Sequence, residues 1–125
     1  MRTIIFGVSS LFLVVAVGCG GPVAGAACNK AGFACQDASS ALECRVKKWT
    51  VLPCRGTGGC LQTGDTVTCD MNGNYPDDLC ASTAEGKGLC NATGTATLEC
   101  RLGKLEQTNT CSTCTVSGGQ VVCSQ

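Results

Sequence analysis

Histidine is absent from the 125 residues. Without it, Ser-His and Cys-His nucleophile pairs and histidine-bound metals are unavailable. Aromatic residues are nearly as scarce, since Phe33, Trp49 and Tyr75 are the only ones beyond residue 20. That leaves little apolar mass for a large core. Charge is sparse and balanced, with nine basic and nine acidic residues, so the basic footprint of a nucleic-acid binder is missing. The glycine-rich stretch from Arg55 to Cys60 has no helix signal after it and reads as a tight turn, not a phosphate loop. Past residue 27, no run of ten residues carries helical periodicity.

What the chain does have is cysteine, 13 in all, behind an apolar leader. Arg2, then an uncharged apolar run over residues 4–17, then small residues describe a secretory signal peptide covering residues 1–18. The run is shorter than the roughly 20 residues a membrane-spanning helix needs. Two processing routes compete. Val17-Gly18-Cys19-Gly20 resembles a bacterial lipobox, which would make Cys19 the lipid-bearing amino terminus and residues 19–27 a tether. Ala24-Gly25-Ala26 offers an ordinary signal-peptidase site that would release a soluble chain starting at Ala27. Either way Cys19 is the odd cysteine. Twelve remain, an even number that reads as a disulfide framework in an oxidising compartment.

The twelve divide into two sets of six. Leu42-Glu43-Cys44-Arg45 returns as Leu98-Glu99-Cys100-Arg101, and aligning the two superposes the sets. The chain is therefore a tandem duplication: module 1 over residues 28–69, a linker over 70–79, and module 2 over 80–123. Each module is near the size at which disulfides, metals or association are needed for stability. The fold class expected is small, all-β and disulfide-rich, with each module made of short antiparallel hairpins. Leu42, Cys44 and Val46 alternate with Glu43 and Arg45 as in a half-buried strand. Lys47-Lys48 is the expected turn, matched by Gly103-Lys104 in module 2. The linker carries Asp70, Asp77 and Asp78 and reads as a solvated connection.

Hairpin geometry bears on the bridges. With two-residue turns at Gly64-Asp65 and Gly118-Gly119, Cys60 falls opposite Cys69 and Cys114 opposite Cys123 as non-hydrogen-bonded partners. Their Cα atoms would lie about 4.5 Å apart, within disulfide range. Bridges Cys60–Cys69 and Cys114–Cys123 follow, with three pairings open for the other four cysteines of each module. The competing arrangement staples each hairpin sideways to a neighbouring strand.

Candidate chemistry is thin. Cys111-Ser112-Thr113-Cys114 has redox or half-zinc spacing, but module 1 has Cys54 and Cys60 in its place, so it reads as a shortened loop. No metal or cofactor is expected. Lys47, Lys48 and Trp49 gather near a hairpin tip, where a cation beside an indole could hold an anionic sugar, a headgroup or an acidic loop; Arg55 completes the basic set. More often a tryptophan so placed is simply the largest core residue of its module, as Leu105 in the aligned place suggests. Asn91-Ala92-Thr93 is a glycosylation sequon if the host is eukaryotic.

The lipobox-like stretch together with Leu-Glu-Cys-Arg, Trp49, Cys54-Arg55-Gly56, Gly59-Cys60 and Val67-Thr68-Cys69-Asp70 resembles cysteine-rich exported lipoproteins of Gram-negative, myxobacterial type. Module 2 lacks the Cys-Arg-Gly segment and matches loosely. The resemblance implies an envelope location, the outer membrane by analogy from Gly20, and brings no activity with it. The expectation is a non-enzymatic, lipid-anchored surface protein held in the membrane through Cys19. It would display or bind an envelope or extracellular protein or glycan. The alternative is a small secreted protease inhibitor or effector, with Arg55 in its exposed loop.

Overall fold

The computed structural model describes residues 21–125; the expected signal peptide over residues 1–18 and the expected lipidation site Cys19 lie outside them. The described chain is all-β apart from one 3-10 turn at Ser82–Ala84. Module 1 begins with an antiparallel meander of β1 (Phe33–Asp37), β2 (Ser40–Arg45) and β3 (Lys48–Pro53). A separate hairpin follows, β4 (Cys60–Thr63) with β5 (Thr66–Cys69). Module 2 repeats the plan with β6 (Gly88–Cys90), β7 (Ala96–Arg101) and β8 (Lys104–Thr110), then β9 (Thr113–Ser117) with β10 (Gln120–Ser124). The duplicated Leu-Glu-Cys-Arg is the end of the central strand in each meander.

The turns depart from expectation by one residue. Arg45 pairs with Lys48 and Arg101 with Lys104. The tips are therefore Val46-Lys47, at φ +47° and +61°, and Leu102-Gly103, at +50° and +78°. Lys48 and Lys104 open the return strands instead. Val46 does not continue the inward face of β2. It stands on the tip, 97% exposed. Along β2 both faces are covered, because Ala41, Leu42 and Glu43 are all buried. Leu42 and Cys44 face their own module, whereas Ala41, Glu43 and Arg45 face module 2.

Six disulfides close the frame, in the same order in both modules. Module 1 joins Cys28–Cys44, Cys35–Cys60 and Cys54–Cys69. Module 2 joins Cys80–Cys100, Cys90–Cys114 and Cys111–Cys123. In each, the first cysteine meets the third, the second the fifth, and the fourth the sixth. No bridge crosses between modules.

This corrects the expected pairs Cys60–Cys69 and Cys114–Cys123. The hairpin register is as expected, with Cys60 opposite Cys69 and Cys114 opposite Cys123. The bridges do not follow it. In β4 the one buried side chain is Cys60, and in β9 it is Cys114. A two-stranded hairpin this bare has almost no apolar face to hold it down. Its cysteines point at the meander and bond there, attaching the hairpin to the sheet. Once formed, the Cys35–Cys60 bridge, with its 25-residue separation, restrains the unfolded chain by about 3.5 kcal/mol, against about 2.6 for a bridge between Cys60 and Cys69, nine positions apart.

The two modules share one core. Ala41, Leu52, Cys54 and Cys60 pack in a single cluster with Cys80, Ala84, Leu89, Leu98, Cys100 and Leu105. The segment between them is a seam, not the solvated linker its charge suggested. Asn74 is fully buried, its amide donating to the Pro53 carbonyl at 2.8 Å while its oxygen accepts from Arg55 N–H at 3.0 Å. Asp70 accepts from the Gly58 N–H at 3.0 Å, and a Cβ on Gly56 would collide with its carboxylate.

Candidate binding surface

The β2–β3 tip carries three of the four expected binding residues. Type I′ geometry turns the chain at Val46-Lys47, leaving Lys47 and Lys48 exposed and Trp49 half-buried one residue further along β3. Trp49 lies opposite Cys44, and its counterpart Leu105 lies opposite Cys100. Leu105 is fully buried, so the two positions have diverged in exposure. Trp49 is neither a core residue like Leu105 nor free of the fold.

Residues 23–28 strap the outer edge of β3. Gly25 N–H donates to the Trp49 carbonyl at 2.8 Å, Trp49 N–H to the Ala26 carbonyl at 2.9 Å, and Cys28 N–H to the Lys47 carbonyl at 3.0 Å. Ala24 N–H reaches the Gln36 side chain at 3.3 Å. Half of the expected tether is thus part of the fold. It covers an edge that would otherwise be open to pairing with another chain.

Arg55 is not part of this surface. It sits beyond the far end of β3, in a two-bond pair with Asp78 at 2.8 and 3.3 Å, its guanidinium 4.9 Å from the Tyr75 ring centre. The hydrogen bond from Arg55 to Asp78 raises the arginine's pKa further. For Asp78, burial pulls the pKa up. The hydrogen bonds from Arg55 and from Tyr75 N–H outweigh it and hold the carboxyl below its ordinary value. An inhibitor would need Arg55 free to enter a protease pocket. Here it is held by Asp78 in the segment between the modules, and the loop behind it is folded onto Asp70.

Other candidates resolve in structural terms. Cys111 and Cys114 are bonded to Cys123 and Cys90 respectively, so the C-x-x-C is not a dithiol pair. The Asn91 amide donates to Thr93 and Thr95 hydroxyls at 3.1 and 3.4 Å, and its oxygen accepts from Thr95 and Ala96 N–H. The nitrogen a glycan would take is holding the β6–β7 loop. A shallow groove of about 630 Å³ runs between Arg55, Asp70 and Asn72 on one side and Asn91 and Thr93 on the other. Its polar groups are largely spent on one another. Among the described residues no cluster of acidic or sulfur ligands could hold a metal ion.

Two features escaped the sequence reading. One is the clasp made by the first Leu-Glu-Cys-Arg. Glu43 is 5% exposed and accepts from Arg45 Nε at 2.6 Å and from the backbone and hydroxyl of Ser82 in module 2. Arg45 also donates to the Cys80 carbonyl. The other is the pair of tips, Val46 at 97% and Leu102 at 95% exposure. The signal was present, because in both modules the conserved-looking Arg is followed directly by an aliphatic residue and then, within two residues, by lysine.

No protein-family model matches the chain, and neither a curated protein nor a solved structure matches it.

Proposed function

We propose that the protein is an exported, non-enzymatic surface protein of the cell envelope, lipid-anchored through Cys19. In this reading it has a display or binding role toward an envelope or extracellular protein or glycan. All twelve described cysteines are paired, as suits an oxidising compartment. The observation that carries the anchor is the strap. Cleavage before Ala27 would remove Ala24, Gly25 and Ala26, and with them both backbone hydrogen bonds to Trp49 and the bond to Gln36, leaving that of Cys28 to Lys47. Cleavage before Cys19 keeps them all. This proposal also keeps the resemblance to Gram-negative exported lipoproteins.

The test is the mass of the mature amino terminus, with fractionation of the host envelope. Diacylglyceryl-modified Cys19 in the membrane fraction is the expected result. A mature chain starting at Ala27 would overturn the anchor. For the lesser reading, a secreted inhibitor, trypsin activity in the presence of excess protein is expected to be unchanged, because Arg55 is engaged by Asp78.

A further inference from the structure

Four hairpin tips of the described chain take a positive φ at their first position, and they do so in two ways. The β4–β5 and β9–β10 turns put Gly64 and Gly118 at the first tip position, at φ +60° and +56°. Glycine takes that conformation at no steric cost. The two meander tips put Val46 and Leu102 at the equivalent position, at φ +47° and +50°. A bulky side chain there is unfavourable, and for a β-branched one it is an outlier. Neither recovers that cost by burial, since both stand almost wholly in solvent. Strain combined with full exposure, at matching places in both modules, points to something outside the chain that takes up the two side chains.

The Arg45 side chain, one residue before Val46, reaches the second tip, its guanidinium within 3.2 Å of where a Cβ on Gly103 would stand. Around the two tips Lys47, Lys48 and Lys104 are exposed and the Glu85 carboxylate caps the second, so the aliphatic knobs stand among three cations and one carboxylate. The knobs are far too small for a stable protein interface, which buries about 800 Å² per partner. A fluid bilayer needs no matching pocket, and lysines beside apolar side chains suit an anionic lipid surface.

The chain's own reach allows this. The strap runs antiparallel to β3, with Cys28 beside Lys47 at the tip and Gly25 beside Trp49, so Val23 stands a few residues back from the tip. From Cys19 to Val23 is four residues, at most about 14 Å. We infer that the body lies directly on the membrane, with Val46 and Leu102 inserted among the lipids and Lys47, Lys48 and Lys104 at the headgroups. This rests on the anchor proposed above, and the two can fail separately.

Trp49 is the only tryptophan of the chain and reports from beside the tip. The experiment compares the purified mature protein with its Val46→Asn, Leu102→Asn double variant. Both are mixed with vesicles of phosphatidylcholine and phosphatidylglycerol carrying brominated acyl chains. Asparagine suits positive φ, so the variant keeps the fold, which an unchanged or raised melting temperature verifies. Strong quenching of Trp49 in the parent, reduced at least about tenfold in the variant, is the expected result. Equal quenching in both overturns the inference, because the anchor alone then suffices. Absent quenching in the parent overturns it too, and self-association lost in the variant would mark the tips as a contact between copies. The mass of the same preparation decides the anchor independently. If the chain proves unlipidated, quenching of the parent at excess lipid still supports the tips, and none overturns them.

Discussion

The same four residues do different work in the two modules. In module 1, Glu43 and Arg45 face inward and clasp Ser82 and the Cys80 carbonyl of module 2. In module 2, Glu99 and Arg101 pair with each other at 3.1 Å on the surface, half in water. The reason is which face of the central strand meets the neighbour. Module 1 offers the face of Ala41, Glu43 and Arg45, and module 2 offers the face of Leu98 and Cys100. The contact is head-to-tail, so equivalent surfaces do not meet. A duplicated motif can keep its fold while only one copy keeps a given contact.

The bridges are the strongest test of how alike the modules remain. Replacing Cys35 and Cys60 by serine removes the bridge that attaches the β4–β5 hairpin, and Cys90 with Cys114 is its counterpart. Each double substitution is expected to cost about 3–4 kcal/mol, measured by chemical denaturation. Because the modules share one core, losing either bridge should lower a single common transition. Two separate transitions would show that the modules are independent units after all. Peptide mapping of the parent should recover first-to-third, second-to-fifth and fourth-to-sixth pairing in both.

The clasp gives a smaller and sharper contrast. Glu43→Ala leaves Arg45 and the Ser82 donors without their acceptor at a buried place, and about 2–3 kcal/mol of stability should go with it. Glu99→Ala breaks an exposed pair and should cost less than about 1 kcal/mol. Equal losses would mean that the clasp does not join the modules.

Much of the fold could be read from the residues, and the exceptions have physical causes. Period-2 alternation and glycine turns located the strands and set the hairpin registers, because those are local properties. Disulfide partners are not local. Register says which cysteine lies opposite which, but the pairing depended on which sheet lay beneath both. The turn was misplaced by one because polarity pointed to Lys47-Lys48, while the chain put an aliphatic residue in the strained position. The seam looked like a linker because Asp70, Asn74 and Asp78 are residues common in loops. Here Asp70 and Asn74 accept from the backbone N–H groups of Gly58 and Arg55 in module 1, and Asp78 accepts from the Arg55 side chain. For the candidate surface, adjacency in sequence placed Lys47, Lys48 and Trp49 together, whereas Arg55 needed the tertiary contact with Asp78 to be assigned.

Acid should loosen the seam. Asp78 has a carboxyl pKa lowered on folding. Its contribution is complete above the unfolded value of about 3.9 and is lost as pH falls through the lower folded value. Stability should therefore decline below about pH 4, and the environment of Tyr75 should change in the same range, read by its ring proton resonances. Asp78→Asn should remove most of that pH dependence of Tyr75. A Tyr75 signal that titrates identically in the variant would assign the effect to other carboxylates.

The smallest expected effect again contrasts the two modules, and it separates strain from packing. Val46 and Leu102 occupy the same turn position, but their surroundings differ. In module 2 the Glu85 carboxylate accepts from the Leu102 and Gly103 N–H groups at 2.7 and 3.3 Å, and Gly103 relaxes the second position. In module 1 neither N–H of Val46 nor of Lys47 has such an acceptor, and no glycine is present at the tip. Val46 is also β-branched, which makes positive φ more costly than for Leu102. Val46→Asn should therefore stabilise the isolated protein by about 0.5–1 kcal/mol, and Leu102→Asn by less, in thermal or chemical melts without lipid. A loss of stability at either position would mean that the aliphatic side chain is held by the fold itself, and the strain at that tip would then need no external partner.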